Sequence, residues 1–139
     1  MEAARLNLGD TVRFLGNRTD TDVFYAGLDI VALTSLNEGT PLSLIEAMAN
    51  RRAVISTSVG GVIDLLGNVC EITEGFTICE RGIRVSSPNP EDFYAGLVYL
   101  AENTALREKI VGNGQQFVIQ KYTKQRLVSN IKNLYRKLS

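Results

Sequence analysis

The chain has 139 residues, of which 45% are hydrophobic, and its 15 basic and 15 acidic residues give a net charge of zero. It is long enough for one domain with a buried core, its charge argues against nucleic acid as a partner, and no apolar run reaches the length of a membrane span. No signal peptide is visible and two cysteines are too few for a disulfide framework or a zinc site, so we expect a cytoplasmic protein.

Strand and helix signals alternate along the first half of the chain. An apolar run at residues 12–15 predicts a strand, and the polar residues 19–22 predict the start of a helix through residue 26. The elements predicted next are a buried strand at 30–33, a helix at 42–50, a strand at 53–56 and a short helix that Gly60 and Gly61 open and that ends at 66. This order, βαβαβα, predicts an α/β fold with a Rossmann-like parallel sheet and flanking helices, in which ligands bind at the carboxyl ends of the strands.

A β-hairpin is predicted as an insertion after these units. Glu74 and Gly75 suit a two-residue turn between strands at 70–73 and 76–79, and in that register Cys70 faces Cys79. In a reducing compartment we expect two free thiols.

The rest of the chain predicts one strand and three C-terminal helices. The strand lies at residues 83–85, and the segment Ser87-Pro88-Asn89-Pro90 ends it and starts a helix near residue 91. The three helices are expected at 91–102, 104–113 and 115–138, with a break in the last at 122–123.

The final helix combines a stripe of apolar residues with basic neighbours. Its apolar residues recur at spacings of four, three and four: Leu127, Ile131, Leu134 and Leu138. The pattern favours a helix docked on its own domain. An interfacial helix that contacts anionic lipid is the alternative, and it would make the protein a peripheral membrane partner.

Two carboxylates, Glu38 and Glu46, stand eight residues apart around a predicted helix start. Thr40 is typical of an N-cap and Pro41 of a first helical position, so the first acid lies just ahead of the helix and the second lies along it. The backbone amides and the helix dipole between them attract phosphate. A ligand with a sugar, a diphosphate and a ribose in a row, such as a nucleotide sugar, would meet the first acid, the helix end and the second acid in that order.

This motif resembles the Glu-x7-Glu signature of GT-B fold glycosyltransferases of the group 1 family, usually called family 4. Other segments follow the family pattern in order and at family spacing: VRFLG at 12–16, YAGLDI at 25–30, EGTP at 38–41, EAMA at 46–49, VGG at 59–61 and RGIRV at 81–85. The resemblance covers nearly the whole chain. It departs at residues 51–54, where the family commonly has Gly-x-Pro-Val, and there we expect Asn50 to supply the left-handed helix cap that glycine normally provides.

The resemblance implies a retaining transferase that moves a sugar from a nucleoside diphosphate to an acceptor hydroxyl without a metal or a cofactor. It places residues 1–139 in the C-terminal, donor-binding domain. The N-terminal acceptor-binding domain, the opening strands of the donor domain and an Arg/Lys pair that neutralises the leaving group are then expected outside this sequence. We therefore expect the fragment to be inactive alone, and an exposed sheet edge to favour self-association.

The resemblance also implies roles for residues around the two acids. Glu38, the candidate catalytic residue, would orient the donor sugar and stabilise charge, and Gly39 would let the backbone approach that sugar closely. Glu46 would accept hydrogen bonds from the ribose hydroxyls. The other candidate donor-binding residues belong to the helix start and to a Gly-Gly loop: Thr40, Pro41, Leu42, Gly60 and Gly61. Asp64 stands where the family has a downstream glutamate.

Two other functions are compatible with this sequence. Sugar-nucleotide epimerases share the fold, although the chain has no histidine, and a non-catalytic Rossmann-like module would scaffold a partner. Asp20 and Asp22 match the Asp-x-Asp metal motif of another transferase fold, but we interpret them as helix-capping residues.

Overall fold

The computed structural model describes residues 2–86 and 89–138, and these form a mixed sheet of five strands in the order β1-β2-β5-β4-β3. The strands are β1 Ile30–Leu33, β2 Ala53–Thr57, β3 Val69–Ile72, β4 Thr77–Cys79 and β5 Gly82–Val85. β1, β2 and β5 are parallel, whereas β4 runs antiparallel to both β5 and β3. The predicted α/β fold is confirmed, and the predicted hairpin extends the parallel sheet as two further strands.

Seven helices occur within the described residues. They are α1 Glu2–Arg5, α2 Thr21–Ala26, α3 Leu42–Ala49, α4 Val62–Leu66, α5 Pro90–Glu102, α6 Thr104–Lys121 and α7 Lys124–Leu138. The predicted break at Tyr122 and Thr123 is confirmed. The predicted break near Asn113 is wrong, because α6 continues through Gly114, where an added Cβ would lie only 3.1 Å from Met48 Cγ. Here glycine lets α6 approach α3 closely rather than ending the helix.

The start of α5 is described from Asn89 onwards. Ser87 and Pro88, which were predicted to end the last strand, lie outside the described residues. The helix itself begins at Pro90, and the Asn89 side chain accepts a hydrogen bond from Glu91 N over 3.3 Å. Proline at the first helical position and asparagine at the N-cap agree with the predicted helix start.

The core has two clusters that share the central strand β2. Val54 belongs to one cluster, together with residues of α3 and α4, and Ile55 belongs to the other, together with residues of β5, α5 and α6. Residues 53–56 are all buried. A strand that is covered on both faces reads as a continuous apolar run, which is why β2 could be predicted from the sequence. β1, which was predicted as a buried strand, is only partly buried because it lies at the edge of the sheet. The double cover of β2, together with its pairing to β1, fixes the carboxyl ends of these two strands, where ligands bind in such sheets.

The predicted strand at residues 12–15 is wrong. These residues pair with none of the five strands, and Phe14 and Leu15 are 68% and 51% exposed. An apolar run forms a strand only where a neighbour completes its backbone hydrogen bonds. β1 is the edge strand on this side within the described residues.

The cap of α3 also differs from the prediction. Asn50 has φ −84°, and the left-handed residue is Arg51 with φ 58°. Arg51 N donates to Met48 O over 3.0 Å and Arg52 N donates to Ala47 O over 2.9 Å, which is the Schellman pattern. The cap therefore sits where the family has glycine, and here an arginine adopts a backbone conformation that suits glycine better.

The hairpin has the predicted turn but not the predicted cysteine register. Thr73 N donates to Phe76 O over 2.9 Å across the turn that contains Glu74 and Gly75. Cys79, however, lies opposite Val69, because the register shifts between Val69 and Glu71. Cys70 is therefore the extra residue of a β-bulge and is exposed, whereas Cys79 is buried, and both thiols are free. Burial raises the pKa of the Cys79 thiol, and the positive charge of Arg84 opposes this effect.

The interpretation of the final helix as docked on its own domain is wrong. None of the residues of α7 is buried. Its apolar stripe is instead open: Leu127, Leu134 and Leu138 are 60%, 58% and 76% exposed. The described residues therefore provide no cover for this stripe.

Candidate functional site

Two loops meet at the carboxyl edge of the parallel strands. Leu33 of β1 lies beside Ser56 of β2, so the segments that follow these strands leave the sheet side by side. The first segment carries Glu38, Gly39 and Thr40, and the second carries Gly60 and Gly61. Gly61 N donates to Gly39 O over 2.9 Å and joins the two loops through their backbones.

The two glycines of the second loop make this contact possible. A Cβ at Gly60 would lie 1.7 Å from Glu38 O, and a Cβ at Gly61 would lie 2.3 Å from Gly39 O. Gly60 also has φ 47°, which side chains disfavour. Any side chain at these positions would push the Glu38 loop away. The structure thus brings Gly60 and Gly61 against the loop that carries the first acid, and it shows that they support this loop.

Glu38 is half-buried and is contacted by a hydroxyl group. Ser35 Oγ donates to Glu38 Oε1 over 2.6 Å. The backbone of Ser35 is held in turn by Thr57, whose Oγ1 donates to Ser35 O over 2.5 Å. The end of β2 thereby fixes the segment that presents the acid. A hydroxyl that donates to a carboxylate is a strong, directional hydrogen bond.

The tip of α3 lies between the two acids along the chain. The helix begins at Leu42, and its N-cap is the buried Pro41, whose carbonyl accepts from Leu44 N and Ile45 N over 3.2 and 3.3 Å. The predicted cap by Thr40 is wrong, because the N-cap position makes no side-chain hydrogen bond. The first amides of a helix have no partner within it and carry its positive partial charge. With Thr40 and Leu42 exposed and no acidic residue in the first turn, this tip is suited to an anion.

Glu46 lies one turn inside α3, about 6 Å along the axis from Leu42 at 1.5 Å per residue. It is half-buried, and α3 has no basic residue. Its polar neighbour comes from α2: the hydroxyl of Tyr25, a residue that is 6% exposed and packs in the core cluster with Leu44 and Met48 of α3, lies beside the Glu46 carboxylate. The pKa of Tyr25 is raised, first by burial and then by the charge and the hydrogen bond of Glu46. The second acid is therefore held at the surface of an otherwise apolar helix.

The other acidic candidates lie apart from this arrangement. Asp20 stands at the N-cap position of α2, but its side chain forms a salt bridge with Arg18 and makes no capping bond, so the predicted capping role of Asp20 is wrong. Asp64 is exposed in the first turn of α4. Within residues 2–86 and 89–138, no group of three His, Cys, Asp or Glu side chains is arranged to hold a metal ion.

The sequence pattern missed the three hydroxyl residues of the site. Ser35 lies three residues before Glu38, which was a usable local signal. Tyr25 and Thr57 are about 20 residues from the groups they contact, so only the fold brings them there.

Comparison with known proteins identifies the family. Residues 1–117 match the family described as glycosyl transferases group 1. The chain belongs to this family. Two curated glycosyltransferases are 28% and 27% identical to it, and the chain spans only 32% and 34% of their lengths.

Solved structures agree with this assignment. Sucrose-phosphate synthase of Thermosynechococcus elongatus matches 99% of this chain with a TM-score of 0.82 and 25% identity, over 32% of its own length. The C-terminal domain of the group 1 glycosyltransferase LpcC of Francisella tularensis matches 88% of the chain with a TM-score of 0.67 and 27% identity, over 60% of its length. Anabaena HepE, solved with UDP and glucose, matches 95% of the chain with a TM-score of 0.76 and 23% identity, over 35% of its length, and it supports the fold. The fold is that of the C-terminal domain of a GT-B glycosyltransferase.

Proposed function

We propose that this chain binds the donor in a retaining glycosyltransferase, which transfers a hexose from a nucleoside diphosphate sugar to an acceptor hydroxyl. One observation carries the proposal: Glu38, the open tip of α3 and Glu46 follow one another at the carboxyl edge of the sheet, and the Gly60 loop supports the first of them. The presence of UDP and glucose in the structure of HepE supports a nucleotide sugar as the ligand class.

Each part of the site has a distinct task in this proposal. The first acid accepts hydrogen bonds from hydroxyls of the donor sugar, orients it, and stabilises the positive charge that develops as the bond to the diphosphate breaks. The amides around Leu42, together with the helix dipole, neutralise part of the charge on the departing diphosphate. Glu46 accepts hydrogen bonds from the ribose hydroxyls. The resemblance implies a basic pair that shares in neutralising the leaving group and that is not among the residues named here, so we propose that this sequence alone is inactive.

The two acids can be tested separately in the complete protein. Glu46→Gln should weaken binding of the nucleoside diphosphate about 10- to 100-fold, as expected for lost hydrogen bonds to a charged group. Glu38→Gln should lower kcat about 100-fold and leave the nucleoside diphosphate bound. Glu102→Gln, at the exposed end of α5, is the matched control. Unchanged nucleotide affinity in Glu46→Gln, measured by calorimetry, would refute the assignment of the second acid.

Epimerisation and scaffolding are the competing functions. An epimerase would bind the same donor but return an altered nucleotide sugar without needing an acceptor, so product analysis by NMR separates it from a transferase. A scaffold would bind no donor. A thermal-shift screen of nucleotide sugars against the complete protein decides this second point.

The open stripe of α7 favours a second contact for the protein. Its basic residues and the absence of any acidic residue after Glu108 suit anionic lipid, and we propose a peripheral contact of this kind. No helix among the described residues is long and apolar enough to cross a membrane. Flotation with phosphatidylglycerol vesicles should capture the complete protein, and Ile131→Asp should abolish capture. Equal capture by neutral phosphatidylcholine vesicles would contradict the role of charge.

Self-association through the edge strand β1 is a further proposal. β1 pairs only with β2, so one side of its backbone faces outwards within the described residues. Light scattering of this chain should show a mass that rises with concentration. A constant monomer mass would end this proposal.

A further inference from the structure

Each of the two acids is contacted by a hydroxyl group that the Glu-x7-Glu motif does not include. Ser35 Oγ lies 2.6 Å from Glu38 Oε1, and the buried Tyr25, which packs against α3, has its hydroxyl beside the Glu46 carboxylate. We propose that Ser35 and Tyr25 are positioning residues, each of which holds its acid so that the remaining carboxylate lone pairs face a hydroxyl of the nucleotide sugar. This inference rests on the proposed function, because both acids must contact a donor.

Tyr25 is fixed by its surroundings before any ligand arrives. Its ring belongs to the core cluster that includes Leu44 and Met48 of α3, and it meets the Phe24 ring edge-on at a centroid distance of 5.4 Å. A ring packed in this way keeps its hydroxyl in one place. Glu46 is half-buried and has a long side chain with several staggered rotamers, so in this proposal a hydrogen bond from the fixed hydroxyl selects the direction of its carboxylate. Such preorganisation reduces the entropy lost on binding.

Ser35 is fixed from a different part of the fold. Thr57 Oγ1 holds Ser35 O over 2.5 Å, and Ser35 Oγ then holds the acid. This relay starts at the end of β2 and does not involve α2. The orientation of Glu38 and that of Glu46 are therefore set independently. The two hydroxyls should thus affect different parts of one ligand, the sugar for Ser35 and the ribose for Tyr25.

Hydroxyl donors suit this task better than basic side chains. A lysine or arginine beside either acid would neutralise its charge and compete with the ligand for its lone pairs. A neutral hydroxyl occupies one of roughly four acceptor positions on a carboxylate and leaves the negative charge in place. The ligand hydroxyls therefore still meet an ionised acceptor, which makes the stronger type of hydrogen bond.

The test uses the complete protein and three probes, UDP-glucose, UDP-N-acetylglucosamine and GDP-mannose, by calorimetry. If wild type binds none of them, both the proposed function and this inference fail. With the probe that binds best, Tyr25→Phe should weaken binding of the nucleotide sugar and binding of its nucleoside diphosphate alike, by roughly tenfold. Ser35→Ala should weaken binding of the nucleotide sugar by a similar factor and leave the affinity for the nucleoside diphosphate unchanged. That pattern would be absent if the hydroxyls served only folding.

A coupling measurement separates positioning from a general structural effect. Removing both ribose hydroxyls from the nucleoside diphosphate should weaken binding to wild type, but should have little further effect in Tyr25→Phe, because the two changes remove one interaction. Ser35→Thr, which keeps a hydroxyl, should restore sugar-dependent affinity, and Tyr94→Phe, at an exposed tyrosine of α5, should change nothing. Additive effects of the tyrosine and ribose changes would overturn the role of Tyr25. Equal loss of sugar nucleotide and nucleoside diphosphate in Ser35→Ala would overturn that of Ser35.

Discussion

Two regions of the same sheet are held together in opposite ways. One is the carboxyl edge of the parallel strands, where the loops that carry Glu38 and Gly60 meet, and we call it the donor edge after its proposed ligand. The other is the hairpin end, around Arg81 between β4 and β5. At the donor edge, glycines bring two loops into backbone contact, and Glu38 projects from that support. At the hairpin end, one side chain makes the connections: Arg81 Nε and Nη2 donate to Leu65 O and Asp64 O over 2.8 and 3.0 Å, and the guanidinium lies 3.8 Å above the Phe117 ring.

Under the proposed function, this is the difference between a surface that binds a ligand and one that only stabilises the fold. Arg81 also contacts Glu80, and Asn113 of α6 donates to Glu80 O over 2.8 Å, so the hairpin end ties α4, β5 and α6 together through side chains. At the donor edge, the backbone does the joining, and the tip of α3 is left without a side-chain cap. We therefore expect substitutions at the donor edge to change both binding and stability, and those at the hairpin end to change stability alone.

The largest effect is expected at the loop contact. Gly60→Ala should destabilise the protein by about 3 kcal/mol, because the new Cβ would overlap Glu38 O and the backbone has positive φ. It should also weaken donor binding at least tenfold, since the first acid moves with its loop. Urea denaturation measures the first effect and calorimetry the second.

Gly112→Ala is the control for this change. Gly112 lies in α6, and an added Cβ there would meet no atom within 4 Å. Alanine should stabilise that helix by about 1 kcal/mol and leave donor binding unchanged. A Gly60→Ala protein with wild-type stability and affinity would show that the loop contact is dispensable.

Arg81→Ala tests the side-chain connections at the hairpin end. The loss of two hydrogen bonds to carbonyls of α4 and of the stack on Phe117 should reduce the free energy of unfolding by about 2 kcal/mol. Arg81→Lys should lose less, because it keeps the charge but not the planar fork. Donor affinity at temperatures well below unfolding should equal that of wild type. If affinity falls together with stability, the two regions are coupled and the distinction drawn above is wrong.

What could be predicted from the sequence follows the same division. β2 and α3 were predicted because a buried apolar run and the acid pair are local signals, and β1 was predicted from its apolar run although it is only partly buried. The family segments predicted Gly60 and Gly61 in the same site as the first acid. The bulge at Cys70, the unpaired segment at 12–15 and the relay from Thr57 to Glu38 depend on which strands lie side by side. No local pattern contains that information.

The left-handed cap of α3 lies one residue later than the sequence predicted, at Arg51 instead of Asn50. Asparagine is a common substitute for glycine in a left-handed cap, so Asn50 was the natural choice over an arginine. The hydrogen bonds from Arg51 N and Arg52 N decide otherwise, because the 6→1 and 5→2 pattern requires the left-handed residue to be Arg51.

Arg51→Gly tests this cap and should have a smaller effect of opposite sign. Relief of the left-handed backbone should stabilise the protein by roughly 0.5–1 kcal/mol, even though the hydrogen bond from Arg51 to Gln115 is lost. Arg51→Ala loses the same side chain but keeps the strained backbone, so it should give no gain. Urea denaturation of both variants separates the backbone effect from that of the side chain, and a gain in both would contradict the explanation.

The smallest effect concerns the hairpin cysteines and their pH dependence. Because burial raises the pKa of Cys79, the folded protein holds that proton more tightly than the unfolded chain does. The resulting stability is fully present below the ordinary thiol pKa of about 8.5, and it is lost as pH rises through the higher folded value. Wild type should therefore lose slightly more stability between pH 7 and pH 10 than Cys79→Ala does.

Cys70, which is exposed at the bulge, should react with a thiol reagent in the native protein, whereas Cys79 should react only on unfolding. Equal reactivity of the two thiols would mean that the β3–β4 hairpin opens in solution and does not hold the end of the sheet.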